Sequence, residues 1–170
     1  MANNWAKYIF IFITLILLQV LVLNHISFFD YATPFLYVYF IIIMPLGINR
    51  NLLLTVAFFL GFIIDIFCNT PGQNAAATVF AAFICRPIQL LFFEREDFEH
   101  IEPNISTLGG TFIKYTFLVV LLHHAMLISI SSFSYFNVQT ISLRIIFSSI
   151  LTSILIFAIE GITAKRKIRE

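Results

Sequence analysis

The sequence predicts an all-α integral membrane protein, a single domain of six transmembrane helices. Three observations carry this. Of the 170 residues, 60% are hydrophobic and only 11% are charged, against roughly 25% charged in soluble chains. The apolar residues fall in runs long enough to cross ~30 Å of hydrocarbon. The polar residues gather in short turns and at the two ends, and the longest polar stretch, Glu94 to Gly110, is too short for a globular domain.

The spacing of these runs places spans at about 8–23, 31–47, 52–67, 74–93, 111–132 and 141–162 of one domain, 1–170. The first follows Trp5 and Tyr8, whose amphipathic rings suit the headgroup level. No small-residue cleavage site follows it, so it is expected to stay as a span that also directs insertion. Gln19 is its one strongly polar interior residue. The second run is rich in Tyr and Phe and closes at Met44-Pro45-Leu46-Gly47. Spans three and four are short for a full crossing, which favours little tilt or local thinning of the bilayer. Between spans four and five, Glu94 to Glu102 holds five acids in nine residues and reads as a solvated loop. Span six ends in the basic tail Lys165-Arg166-Lys167-Ile168-Arg169, a stop-transfer segment and anionic-lipid contact worth about 1 kcal/mol per basic residue.

Orientation follows from the basic residues, whose excess stays cytoplasmic. With six spans both termini share a side. That side holds Lys7, Arg50, Arg86, Arg95, Lys114, Lys165, Arg166, Lys167 and Arg169, and the other holds only Arg144. Both termini are therefore expected in the cytoplasm.

The most informative stretch is Gly61 to Pro87, GFIIDIFCNTPGQNAAATVFAAFICRP. A carboxylate at the centre of a span costs about 2.5–3.5 kcal/mol and less near an interface. Asp65 sits near the outer end of its span. It either binds a partner or ligand, or accepts backbone N–H groups at the start of the next helix. Asn69-Thr70-Pro71-Gly72 has turn chemistry, since Pro sets φ and Gly supplies positive φ. Ala75, Ala76, Ala77, Ala81 and Ala82 allow close helix approach in lipid. Arg86 lies about 18 Å deeper than the start of its helix at 1.5 Å per residue, so a pair with Asp65 is not expected. Arg86 either reaches the cytoplasmic headgroups or serves a cytoplasmic partner, and Pro87 marks a candidate kink.

Other polar residues carry weaker signals. His123 and His124 are adjacent, point about 100° apart on a helix, and form a poor chelate; one histidine hydrogen-bonded within the bundle is the simpler reading. Cys68 and Cys85 have neither disulfide-framework nor metal spacing, and read as packing residues. Glu160 stands one turn before the basic tail and is expected to pair with it. Neither a Walker A loop nor GxSxG, HExxH, CxxC or DG…AR…D occurs, and no catalytic residue, metal or cofactor is assigned.

The order in Gly61–Pro87 (Gly, apolar, Asp65, apolar, a turn with Pro71-Gly72, then small residues) resembles the rod shape-determining protein MreD family. So do the length, the six spans and the short basic ends. The family pattern separates Pro from Gly by one residue, whereas Pro71 and Gly72 are adjacent here. The resemblance implies a bundle similar to the substrate-binding subunit of energy-coupling-factor transporters. It implies a non-catalytic scaffold in the bacterial inner membrane, active in cell shape and lateral peptidoglycan synthesis. The implied partners are a MreC-like bitopic protein and, indirectly, a MreB-like filament and a RodA-type glycosyltransferase with its transpeptidase. Membrane lipid is the surrounding medium, and no nucleic acid is implied. Asp65, Asn69, Pro71, Gly72, Arg86 and Pro87 would be the structural or partner-binding residues. A vitamin-type binding subunit of a transporter is the alternative, with Asp65, Asn69, Gln73, Asn74, Asn137 and Gln139 at the outer ends.

Overall fold

A computed structural model describes residues 2–26, 32–93, 102–133 and 137–169; the side chains of 2–4 and 164–169 are not described. The acidic loop from Glu94 to Ile101 therefore lies outside the described residues, as do the side chains of the basic tail. Among the described residues, five helices are long and apolar enough to cross a bilayer, which makes the chain a multi-pass membrane protein. They are α1 (Ala2–Leu21), α3 (Arg50–Cys68), α4 (Gln73–Phe92), α5 (Ile105–Ser131) and α6 (Val138–Arg169). α2 (Tyr39–Ile42) is a single turn. Helices α3 to α6 pack in sequence, each against the next, while α1 meets the rest mainly through α3 and the segment around α2.

The second expected span is where the structure departs from the sequence reading. Instead of a continuous helix over 31–47, the described residues give a non-helical entry at Thr33–Phe35, a 3₁₀ turn at Leu36–Val38, and then α2. Tyr37, Val38, Ile41 and Ile42 are wholly buried. The hydropathy of FLYVYFIIIM is that of a span, but its aromatic and β-branched residues hold little helix preference, and Pro34 and Pro45 bracket it. Irregular backbone survives in a membrane only when protein buries it and satisfies its polar groups. Here other elements do so. The Gln19 side chain accepts from Leu36 N–H at 2.9 Å and donates to the Pro34 carbonyl at 3.0 Å. On α6, Ser148 Oγ accepts from Thr33 N–H and Thr152 Oγ1 from Phe35 N–H, both at 3.1 Å.

This central segment runs antiparallel to α1. Pro34 and Leu36 meet Gln19, and Phe40 meets Phe12 edge to face with centroids 5.3 Å apart. At its far end the Leu46 carbonyl accepts from the Arg86 guanidinium.

The α3–α4 hairpin is the tightest contact in the bundle. A Cβ at Gly61 would lie 2.5 Å from both Ala75 Cα and the Asn74 carbonyl oxygen, and 2.4 Å from Thr78 Oγ1. Two of those neighbours are backbone and cannot yield without parting the helices. Gly61→Ala is expected to lower the unfolding free energy by about 2 kcal/mol, read from denaturation in bicelles. Unchanged stability would mean that the helices do not approach so closely. The other helix ends have local causes. Asn49 caps α3 by accepting from Asn51 N–H at 2.9 Å, and Asn104 caps α5 by accepting from Thr107 N–H at 2.9 Å. Within α5, Gly109 has φ 51° and ψ −128°, so a first turn is set off from the long apolar helix that follows. α4 continues through Pro87 to Phe92 without a break.

Candidate functional site

Asp65 lies in the last turn of α3 and is buried, 4% exposed. Its carbonyl accepts from Thr70 N–H at 3.2 Å, and also from the N–H of Asn69, which closes the helix in the left-handed conformation at φ 54°. Asn tolerates that region better than most side-chain-bearing residues. The chain then passes Pro71 and turns through Gly72, φ 78°, where glycine bears no Cβ penalty. These turns bring the first residues of α4 over the Asp65 side chain.

The carboxylate takes four hydrogen bonds, all at 2.9 Å. Oδ1 accepts from the Thr70 hydroxyl, from Asn74 N–H and from the Asn74 side-chain amide; Oδ2 accepts from Ala75 N–H. It therefore acts as the N-terminal cap of α4, supplied from the preceding helix instead of from the residue before the first turn. Both the unsatisfied N–H groups and the positive end of the helix dipole favour an acid there. Of the two readings of Asp65 in the sequence, this geometry is that of the backbone acceptor.

The network continues inward. Tyr37 donates its hydroxyl to Asn74 Oδ1 at 2.7 Å, tying the central segment to the hairpin. The Tyr37 ring meets His123 edge to face at 5.3 Å, and His123 meets His124 likewise at 5.3 Å. His124 Nδ1 lies 2.8 Å from the Val120 carbonyl and Nε2 lies 3.1 Å from Thr152 Oγ1. Since a carbonyl only accepts, Nδ1 carries the proton and Thr152 donates to Nε2. Both His123 nitrogens are buried with no hydrogen-bond partner. Among the described residues no three His, Cys, Asp or Glu side chains gather as a metal site would need.

Arg86 is exposed and reaches across to the Leu46 carbonyl at the opposite end of α4 from Asp65. It thus braces the close of the central segment. The tail side chains with which Glu160 is expected to pair lie outside the described residues. Glu160 is 4% exposed and faces inward, accepting from the Tyr39 hydroxyl at 2.5 Å and from Ile105 N–H at 3.2 Å. It does for α5 what Asp65 does for α4. Hydropathy gave no sign of this, because the acceptor's partner is a backbone N–H 55 residues away. The cysteines also hold contacts: Asn24 donates to Cys68 Sγ at 2.7 Å, and Cys85 Sγ lies 2.8 Å from the Tyr115 hydroxyl. Ser148 and Thr152 were not singled out in the sequence, although their spacing of one helical turn places both on one face of α6.

Comparison with protein-family models, with curated proteins and with solved structures returned no match.

Proposed function

We propose that this chain is a non-catalytic scaffold subunit of the bacterial inner membrane, of the MreD type, which binds the single span of a MreC-like bitopic protein. It crosses the membrane six times, with both termini cytoplasmic. The antiparallel run of residues 34–46 beside α1 supports the sixth crossing, made by α2 and its irregular flanks. Six crossings put nine of the ten basic residues on one side, as the positive-inside tendency favours.

The observation that carries the scaffold reading is the commitment of the hairpin's polar groups to its own fold. Asp65 spends both oxygens on Thr70, Asn74 and Ala75, and Asn74 is engaged with Asp65 and Tyr37. A rigid hairpin with satisfied polar groups suits packing against another span. It also removes two of the six polar residues on which a vitamin site would draw. Asn69, Pro71, Gly72 and Pro87 shape the surface, and Arg86 holds it at the cytoplasmic end. The bundle would then resemble the substrate-binding subunit of energy-coupling-factor transporters in architecture alone.

Affinity purification at native expression, in several mild detergents, is expected to retain a bitopic protein with a single span. Loss of every such partner in all detergents overturns the reading. A thermal shift with one vitamin, without a bitopic partner, would support the transporter subunit in its place.

A further inference from the structure

Residues 102–108, the lead-in and first turn of α5, form a short strap. It is folded within itself: Asn104 Oδ1 accepts from Thr107 N–H at 2.9 Å and the Asn104 carbonyl from Leu108 N–H at 3.1 Å. It joins the rest of α5 at Gly109, whose φ of 51° and ψ of −128° are not helical. A Cβ at Gly109 would meet nothing within 4 Å. Side chains of two other helices fasten the strap. On α1, Lys7 Nζ donates to Glu102 Oε2 at 2.7 Å and the Tyr8 hydroxyl to Glu102 Oε1 at 2.8 Å. On α6, Glu160 Oε2 accepts from Ile105 N–H at 3.2 Å. Through Glu102, Pro103, Asn104 and Ser106 the strap lines one end of a groove between α1 and α6.

We propose that the strap is a hinged closure, which swings as a unit about Gly109 and uncovers that end of the groove when open. The hinge is built for it. Glycine takes either sign of φ with little penalty, so a return of Gly109 to helical φ re-aims the strap with no side chain in the way. The fastening is the kind that yields first. The Lys7 and Glu102 side chains are 49% and 31% exposed, so water competes for both partners. The bonds that hold the start of α4 and the central segment are buried instead. Ile105 and Leu108 are only partly buried against the core. Release at α6 does not strand the acid either, because Glu160 keeps the Tyr39 hydroxyl at 2.5 Å. Local opening draws on the least buried contacts of a fold, and here they meet a glycine pivot. The closure depends neither on the partner-binding reading nor on what the groove holds.

Residue-resolved amide exchange of the full chain, by NMR in nanodiscs, reads the swing. The Ile105 N–H is bonded across to α6, whereas Thr107 and Leu108 are bonded inside the strap. A swing therefore exposes the first and spares the other two. Ile105 is expected to be less protected than Leu108 and than residues 112–130. Glu102→Ala, which removes the bonds to Lys7 and Tyr8, should lower Ile105 protection about tenfold and leave Leu108 unchanged. Lys7→Met loosens the same fastening from α1 and decides the matter if the first variant misfolds. Gly109→Ala puts a side chain at positive φ and should also lower Ile105 protection; Gly110→Ala, where a Cβ has open space, should not. Ile105 as protected as residues 112–130 overturns the proposal. So do equal losses at Ile105 and Leu108, which would mean that the strap unravels, and unchanged Ile105 protection in folded Glu102→Ala and Lys7→Met variants.

Discussion

Asp65→Ala is expected to lower the unfolding free energy by about 4 kcal/mol, since it strands two buried N–H groups at about 1–3 kcal/mol each and removes a helix cap. The donors are Asn74 N–H and Ala75 N–H, with the Thr70 hydroxyl and the Asn74 amide also released. Asp65→Asn separates the contributions. It keeps the volume and one acceptor, but turns an amide donor toward either the cluster at Oδ1 or Ala75 N–H. About half of the alanine effect is expected for it. Denaturation in bicelles reads both. The scaffold reading adds that the alanine variant should retain less bitopic partner, as a consequence of a loosened hairpin. An alanine variant with unchanged stability and unchanged partner retention would remove Asp65 from any role in either.

Gln19→Leu is expected to have a similar effect, about 3–4 kcal/mol, although leucine is the residue that hydropathy would favour there. Gln19 is wholly buried and serves both a donor and an acceptor of the central segment, at Leu36 and Pro34, besides Asn24 at 2.7 Å. With no water at this depth, each unpaired backbone group keeps its desolvation cost. Leucine at an exposed position of α1, as in Thr14→Leu, should be near neutral and is the control. Proteolysis or hydrogen exchange at residues 33–38 supplies a second readout, because the segment should open before the long helices do. If Gln19→Leu were as stable as the wild type, the central backbone would have to find its partners elsewhere.

Both effects arise from one property of the bilayer. Water is missing as a hydrogen-bond partner, so each interruption of helical backbone must be answered by a side chain. Among the described residues, three such places are answered by side chains from other elements of the bundle. Gln19, Ser148 and Thr152 answer the central segment. Asp65 answers the start of α4, and Glu160 the start of α5. The polar residues inside the apolar runs thus mark where a helix stops, more than where chemistry happens.

Composition and run length by themselves determined the membrane class and the approximate position of five long helices, because transfer of apolar residues into lipid is a local, additive property. They also located the Asn69–Gly72 turn, whose backbone signs are written in Pro71 and Gly72, and the separation of Asp65 from Arg86, which is arithmetic on helical rise. Only the tertiary structure decided the rest. Residues 31–47 read as a sixth helix because hydropathy counts side chains and is blind to how the backbone is satisfied. Whether FLYVYFIIIM forms a helix depends on hydrogen-bond partners that stand on α1 and α6, as far as 117 residues away. Likewise the choice between a ligand-binding Asp65 and a capping one lay in the orientation of two N–H groups across the turn. That Glu160 accepts from Tyr39 and from the start of α5 was likewise visible only in the fold.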